Sequence, residues 1–202
     1  NHIQSYHQAV QQGLWSQSPQ FCLHLQPIEE LADKTLTLLG YGDLGQATAR
    51  LAEAFGMKVL IAERPDATEI RSGRTALEAA LRQADVLSLH CPLTDATAKL
   101  MNAQTLSWMK PTALLINTAR GGLIDEDALA EALSKGTLAG AALDVLSTEP
   151  PAVDHPLLHS SLPNLIITPH VAWASRQAMQ RLVLQLSENL QAFLAGQPIR
   201  QV

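Results

Sequence analysis

Leu36-Thr37-Leu38-Leu39-Gly40-Tyr41-Gly42-Asp43-Leu44-Gly45-Gln46-Ala47 joins an apolar strand to a helix through glycines spaced Gly40-x-Gly42-x-x-Gly45. Each glycine answers a separate need. Gly40 permits a tight turn out of the strand, Gly42 lets the backbone approach a pyrophosphate, and Gly45 lets the helix pack closely on the sheet. The helix over 44–55 would point its free N–H groups and positive dipole end at the phosphates. A glycine-rich turn alone would carry the same letters, so context decides. The next apolar run, 58–62, ends at Glu63, 18 residues past Gly45, where a carboxylate could accept from ribose hydroxyls.

Outward from this turn, short apolar runs near 35–39, 58–62, 85–89, 113–117, 138–143 and 164–167 alternate with helical patterns. The alternation predicts an α/β fold, a doubly wound parallel sheet of Rossmann type covered by helices on both faces in three layers. Thr75-Ala-Leu-Glu78 offers a capping box for the third crossover, Asp85 opens the third strand, and Asp125-Glu-Asp127 starts a helix running to about Lys135. Pro150, Pro151 and Pro156 mark a rigid loop. The segment 174–195, with Met179, Leu182, Val183, Leu186, Leu190, Phe193 and Leu194 at helical spacing and Gly196 and Pro198 as stops, predicts a long amphipathic C-terminal helix. Ile3, Tyr6 and Val10, with Leu14 and Trp15 beyond, form a stripe that needs a partner surface. The expected organisation is an N-terminal helical arm over 1–30, a dinucleotide-binding domain over 31–172 and a C-terminal helix over 173–202.

The chain's 202 residues, 47% of them hydrophobic, suffice for a substantial core, and a net charge of −5 gives no general basic face for nucleic acid. No apolar run approaches the ~18 to 20 residues that cross a bilayer, and the expectation is a cytoplasmic chain without a membrane partner. Cys22 and Cys91 fall in no metal-ligand or redox spacing, which predicts two unpaired thiols and no metal.

Ligands of open α/β sheets bind outside the carboxyl ends of the strands. Arg120 lies three residues past the fourth predicted strand, Glu149 six past the fifth and His170 three past the sixth. Singly, each has an ordinary reading as a loop cation, a surface acid and a packing histidine. Together they supply a cation for an anionic substrate, a titratable acid and a carboxylate to tune it.

These residues stand in motifs that resemble the D-isomer-specific 2-hydroxyacid dehydrogenases: Gly40-Tyr-Gly-Asp-Leu-Gly45, His90-Cys-Pro-Leu-Thr94, Asn117-Thr-Ala-Arg-Gly-Gly122, Ala141-Ala-Leu-Asp-Val145, Glu149-Pro-Pro151 and Pro169-His170. The resemblance covers nearly the whole chain. Ala62-Glu-Arg-Pro65 and His170-Val-Ala-Trp-Ala-Ser175 are similar to the glycerate dehydrogenase (hydroxypyruvate reductase) branch. It implies that His170 protonates the keto oxygen as hydride reaches the carbonyl carbon, that Glu149 fixes the tautomer of His170 and favours the imidazolium, and that Arg120 binds the substrate carboxylate. It places Asp43 and Leu44 with the glycines at the pyrophosphate, and Glu63 at the adenosine ribose. His90, Cys91 and Pro92 would lie on the adenine side, and Thr118, Ala119 and Asp144 near the nicotinamide.

Glu63 would select NAD by repelling a 2′-phosphate, while adjacent Arg64 could attract one; NAD is the expected cofactor and NADP the lesser alternative. The substrate is expected to be a small 2-keto or 2-hydroxy acid of the hydroxypyruvate or glyoxylate type, and the assembly a homodimer. The family's N-terminal substrate-domain portion is absent and the chain begins at Asn1, so the expectation is part of a longer protein, binding cofactor and turning over little substrate alone. A different class, an NAD(H)-sensing binding protein similar to the co-repressors of this fold, is the alternative.

Overall fold

The structure, a computed structural model, describes residues 2–159 and 162–201. Asn1 and Val202, the outer ends of the expected arm and C-terminal segment, lie outside the described residues. In chain order the elements are α1 (Ile3–Gln11), β1 (Thr35–Leu39), α2 (Asp43–Ala54), β2 (Lys58–Ala62), α3 (Leu77–Gln83), β3 (Val86–Leu89), α4 (Ala103–Ser107), β4 (Leu114–Asn117), α5 (Glu126–Ser134), β5 (Gly140–Leu143), α6 (Pro156–His159), β6 (Leu165–Ile167) and α7 (Arg176–Leu194). The strands form one parallel sheet in the order β2-β1-β3-β4-β5-β6.

The six predicted strands are all present, the last four a residue or two shorter than expected at their starts. β1 and β3 lie side by side while the chain leaves them in opposite directions, so the crevice beyond their carboxyl ends is the switch point at which such sheets bind ligands. The central strands carry apolar side chains on both faces. Leu87, Leu89, Leu115 and Leu143 pack with Leu81 and Leu129 in the larger core, and Leu36 and Leu38 meet Ala49 and Ala52 of α2 in the smaller. Asp85, one residue before β3, accepts from the Thr35 amide at 2.8 Å and from Lys110 Nζ at 2.7 Å, tying β1 and the start of β4 to β3.

Two local expectations are corrected. Thr75 does not cap α3: its amide donates to Ile61 O at 2.9 Å and its carbonyl accepts from the Glu63 amide at 2.8 Å, so it extends the pairing of the edge strand β2 and leaves Ala76 at the N-cap. A reciprocal capping box instead forms at α4, where Asn102 Oδ1 accepts from the Gln104 and Thr105 amides and Thr105 Oγ1 accepts from the Asn102 amide. Pro156 opens the short helix α6 rather than continuing a loop, a position where its missing N–H costs no hydrogen bond. Asp125 caps α5 as expected, its Oδ1 accepting from the Ala128 amide, and Ser175 caps α7. None of the residues of α7 is buried.

Candidate active site

The glycine turn is shaped by close approaches. Gly40 has φ +101°, and a Cβ there would lie 2.5 Å from the Cys91 amide nitrogen; one on Gly45 would lie 2.4 Å from Gly40 O. At Gly42 a Cβ would meet nothing within 4 Å. The turn is therefore closed against β3 and α2 but open on the side where α2 begins, which is the arrangement a pyrophosphate needs. Gly40 and Gly42 line a cavity of about 390 Å³ with Glu63, Cys91 and Pro92, while Leu44 is exposed at the first turn of α2 beside Asp43. These residues fit a dinucleotide: an open glycine, helix N-terminal amides and a cavity at the switch point.

Not every predicted cofactor side chain faces that cavity. The His90 ring turns back to Ser88, with Nε2 2.9 Å from its hydroxyl oxygen, and burial lowers its pKa. The backbone of His90 borders the turn at Gly40, and its Cβ lies 3.8 Å from the position a Cβ on Gly45 would take. Burial also pushes the Cys91 thiol up to about 11, an inert packing sulfur rather than a nucleophile. Both cysteines are free. Glu63 reaches the cavity edge but is only 2% exposed, its carboxylate paired with Arg71. Arg71 and Arg74 went unnoticed in the sequence, since loop residues carry no periodicity that shows which way they return.

A second cavity, of about 190 Å³, lies beyond β4, β5 and β6 and is lined by Arg120, Glu149 and His170 with Leu93, Gly122 and Leu146 among others. The three predicted catalytic residues thus meet. Glu149 Oε2 lies 2.6 Å from His170 Nδ1, and Oε1 accepts from the Leu146 amide at 2.9 Å. The His170 hydrogen bond, then that of Leu146, hold the Glu149 carboxyl below the usual carboxylate range. An ionised carboxylate only accepts, so Nδ1 carries the donated proton and Nε2 is the nitrogen left for chemistry.

The backbone of His170 is left-handed, with φ +51°. Its amide donates to Asp144 O at 2.8 Å, and Trp173 Nε1 donates to its carbonyl at 2.9 Å. Asp144, 5% exposed, pins the same loop: Oδ1 accepts from Thr168 Oγ1 at 2.5 Å and the Val171 amide at 2.9 Å, and Oδ2 from the Ala172 amide at 2.8 Å. Burial opposes ionisation of Asp144, but these bonds and the nearby His170 outweigh it and hold its pKa down. A conformation costing about 1 to 3 kcal/mol is thus over-determined by its surroundings. Asp144 therefore positions His170, and only part of one oxygen remains for the nicotinamide expected near it.

Arg120 stands in a turn shaped by buried Asn117, whose Nδ2 donates to Arg120 O at 2.9 Å and whose Oδ1 accepts from the Ala119 amide at 3.0 Å, leaving Thr118 and Arg120 exposed. A further clamp was invisible in the sequence. Glu126 accepts from the Ser147 amide at 2.8 Å and its hydroxyl at 2.5 Å, and lies 3.2 Å from His155 Nε2, fastening the loop that carries Glu149 to α5. Among the described residues no group of three or more His, Cys, Asp or Glu is placed to hold a metal ion, and no helix is long and apolar enough to cross a membrane.

Residues 1–172 match the model of the D-isomer specific 2-hydroxyacid dehydrogenase, NAD binding domain family. The chain is 49% identical to a glycerate dehydrogenase of Methylorubrum extorquens over 97% of its own length and 61% of that enzyme's. Among solved structures, an NADPH-dependent glyoxylate/hydroxypyruvate reductase from Sinorhizobium meliloti superposes with a TM-score of 0.81 at 34% identity over 99% of this chain and 62% of that one. A D-lactate dehydrogenase from Aquifex aeolicus, complexed with NAD and lactic acid, does so with a TM-score of 0.79 at 31% identity over 96% and 62%. The chain spans about three fifths of the length of these relatives. With a glycine turn at the switch point of a parallel sheet, a histidine–carboxylate pair past its last strands and a family match over 172 residues, the chain belongs to the D-isomer specific 2-hydroxyacid dehydrogenases and carries their NAD-binding domain.

Proposed function

We propose that the protein to which this chain belongs reduces small 2-keto acids of the hydroxypyruvate or glyoxylate type to D-2-hydroxy acids. The observation that carries this reading is the 2.6 Å pairing of His170 Nδ1 with Glu149 on the same cavity as Arg120, beyond the strands next to the dinucleotide turn. Bound at that turn, the dinucleotide supplies a hydride to the carbonyl carbon. His170 donates its Nε2 proton to the carbonyl oxygen as negative charge develops there, and Glu149, accepting from Nδ1, orients the ring for that transfer. The Arg120 guanidinium holds the substrate carboxylate and favours polarisation of the adjacent carbonyl. Sequence outside this chain would supply the opposite wall of the cleft and close over 173–202. One solved relative is described as NADPH-dependent and another is complexed with NAD, so the family alone does not choose NAD or NADP. Nothing in the site favours the sensing alternative.

The test is the rate of dinucleotide oxidation by the intact protein with a panel of 2-keto acids. We expect hydroxypyruvate and glyoxylate to show the highest kcat/KM, and absence of turnover with every 2-keto acid would refute the reading. We also propose a homodimer. Ile3, Val10, Leu14 and Trp15 at the arm and Leu186, Leu190 and Phe193 of α7 are exposed, apolar surface of the kind interfaces cover. Light scattering at micromolar concentration should give twice the chain mass; a monomer throughout that range would sink this proposal.

A further inference from the structure

Glu63 ends β2, and the loop from 64 to 76 returns the chain to α3. Oε1 of Glu63 accepts from the Arg64 amide at 2.8 Å and from Arg71 Nη2 at 2.5 Å; Oε2 accepts from the Arg71 amide at 3.0 Å and from Arg71 Nε at 2.9 Å. Arg74 Nη1 stands 3.9 Å from Oε1. A carboxylate offers about four acceptor positions, and here two amides and one edge of a guanidinium take them. With 2% of the residue exposed, nothing remains to accept a ribose hydroxyl. The Arg71 hydrogen bonds hold the Glu63 carboxyl far below the usual range, so the pair is ionised and neutral as a unit at pH 7.

The cavity edge then has a cationic surplus. Arg64, Arg71 and Arg74 line it with Glu63 and Asp66, three guanidinium charges against two carboxylates. Asp66 is only loosely engaged, its Oδ1 4.0 Å from Arg64 Nε, and the Arg64 side chain is 66% exposed. Arg71 spends its Nε and Nη2 edge on Glu63, so the Nη1 edge is the one open to a second anion. Gly40 and Gly42 line the same cavity, which puts these cations at the adenosine end of the cofactor path.

We propose that Arg64, Arg71 and Arg74 form a clamp for a phosphate on the adenosine ribose, so that this chain prefers the 2′-phosphorylated dinucleotide, with Glu63 the anchor of Arg71 and not the ribose acceptor. The proposal rests on the reading of the glycine turn as a dinucleotide site. It reverses the selection that Glu63 implies as a free acid, because a carboxylate already paired with arginine neither repels a phosphate nor accepts from a hydroxyl. Planar guanidinium forks suit a phosphate dianion, and two or three of them can share one.

The test uses the chain itself, calorimetrically titrated with NADPH, NADH, 2′,5′-ADP and 5′-AMP. The fragments report on the ribose subsite without any hydride chemistry. NADPH should bind about tenfold or more tightly than NADH, 2′,5′-ADP should outbind 5′-AMP similarly, and both preferences should shrink with added salt. Arg64→Gln should lower the preference for the phosphorylated ligands with NADH affinity retained. Arg71→Gln frees Glu63 and should move the preference toward NADH, whereas a purely structural Arg71 would weaken both ligands alike. NADH binding as tightly as NADPH, or Arg64→Gln weakening both equally, overturns the clamp alone. No binding of either dinucleotide overturns the clamp together with the dinucleotide reading.

Discussion

In the intact protein, His170→Ala should lower kcat for the proposed 2-keto acid reduction by about 10²- to 10⁴-fold, the usual contribution of a positioned acid. Dinucleotide affinity should hardly change, because the glycine turn and the cavity beside Glu63 do not include His170. The size of the effect follows from geometry. His170 is held by its amide bond to Asp144 O, by Trp173 Nε1 on its carbonyl and by Glu149 on Nδ1, so its ring arrives at the substrate already oriented. Glu149→Gln separates charge from position: it keeps a partner for the ring but removes the carboxylate that can only accept from Nδ1. An amide can donate as well as accept, so the ring tautomer is no longer fixed and kcat should fall by about 10- to 100-fold, less than for His170→Ala. Steady-state rates across pH for the two variants decide the matter. A kcat within about fivefold of wild type for His170→Ala, too small for a lost general acid, would remove His170 from the proposed role.

The largest expected effect on stability is at Gly121. A Cβ there would fall 1.9 Å from Leu146 C, 2.1 Å from Leu146 O and 2.4 Å from Ser147 N, all main-chain atoms. A side chain in the way could rotate, but here the loop that carries Glu149 has to move, and Glu126 holds that loop through the Ser147 amide and hydroxyl. Gly121→Ala should therefore destabilise the chain by about 3 kcal/mol or more, at the top of the range for overpacking. Movement of Leu146 also withdraws the amide that donates to Glu149 Oε1, so the Glu149–His170 pair should loosen in the molecules that stay folded. Urea unfolding of the isolated chain measures the first effect, and the downfield imidazole NH resonance of His170 reports the second. A loss of less than about 1 kcal/mol would show that the Leu146–Ser147 backbone yields easily, contrary to the restraint inferred from Glu126.

The strands and helices were legible because they depend on short-range pattern. Apolar runs of four or five residues and helices at 3.6-residue spacing must bury one surface or another, and the order of runs implied the parallel sheet. The register of Arg120, Glu149 and His170 just past three successive strands was legible for the same reason: it is a matter of counting along the chain. Thr75 shows where counting fails. Its letters fit a capping box, but pairing with Ile61 and Glu63 across a loop offers its backbone two hydrogen bonds that no local window reveals.

The sequence by itself determined the sheet, the glycine turn and the identity of the three groups at the smaller cavity, since periodicity, turn chemistry and strand-end positions are local properties. Only the tertiary structure decided how the charges are spent. Glu63 reads as a free acid in sequence, and becomes the anchor of Arg71 when the loop returns eight residues later. Asp144, which the resemblance places near the nicotinamide, also pins the His170 loop, 26 residues away along the chain. Glu126 reads as a helix-starting acid and becomes the fastening of the Glu149 loop. A carboxylate's role depends on which donors fill its few acceptor positions, and those donors arrive through contacts between distant segments that sequence spacing does not encode.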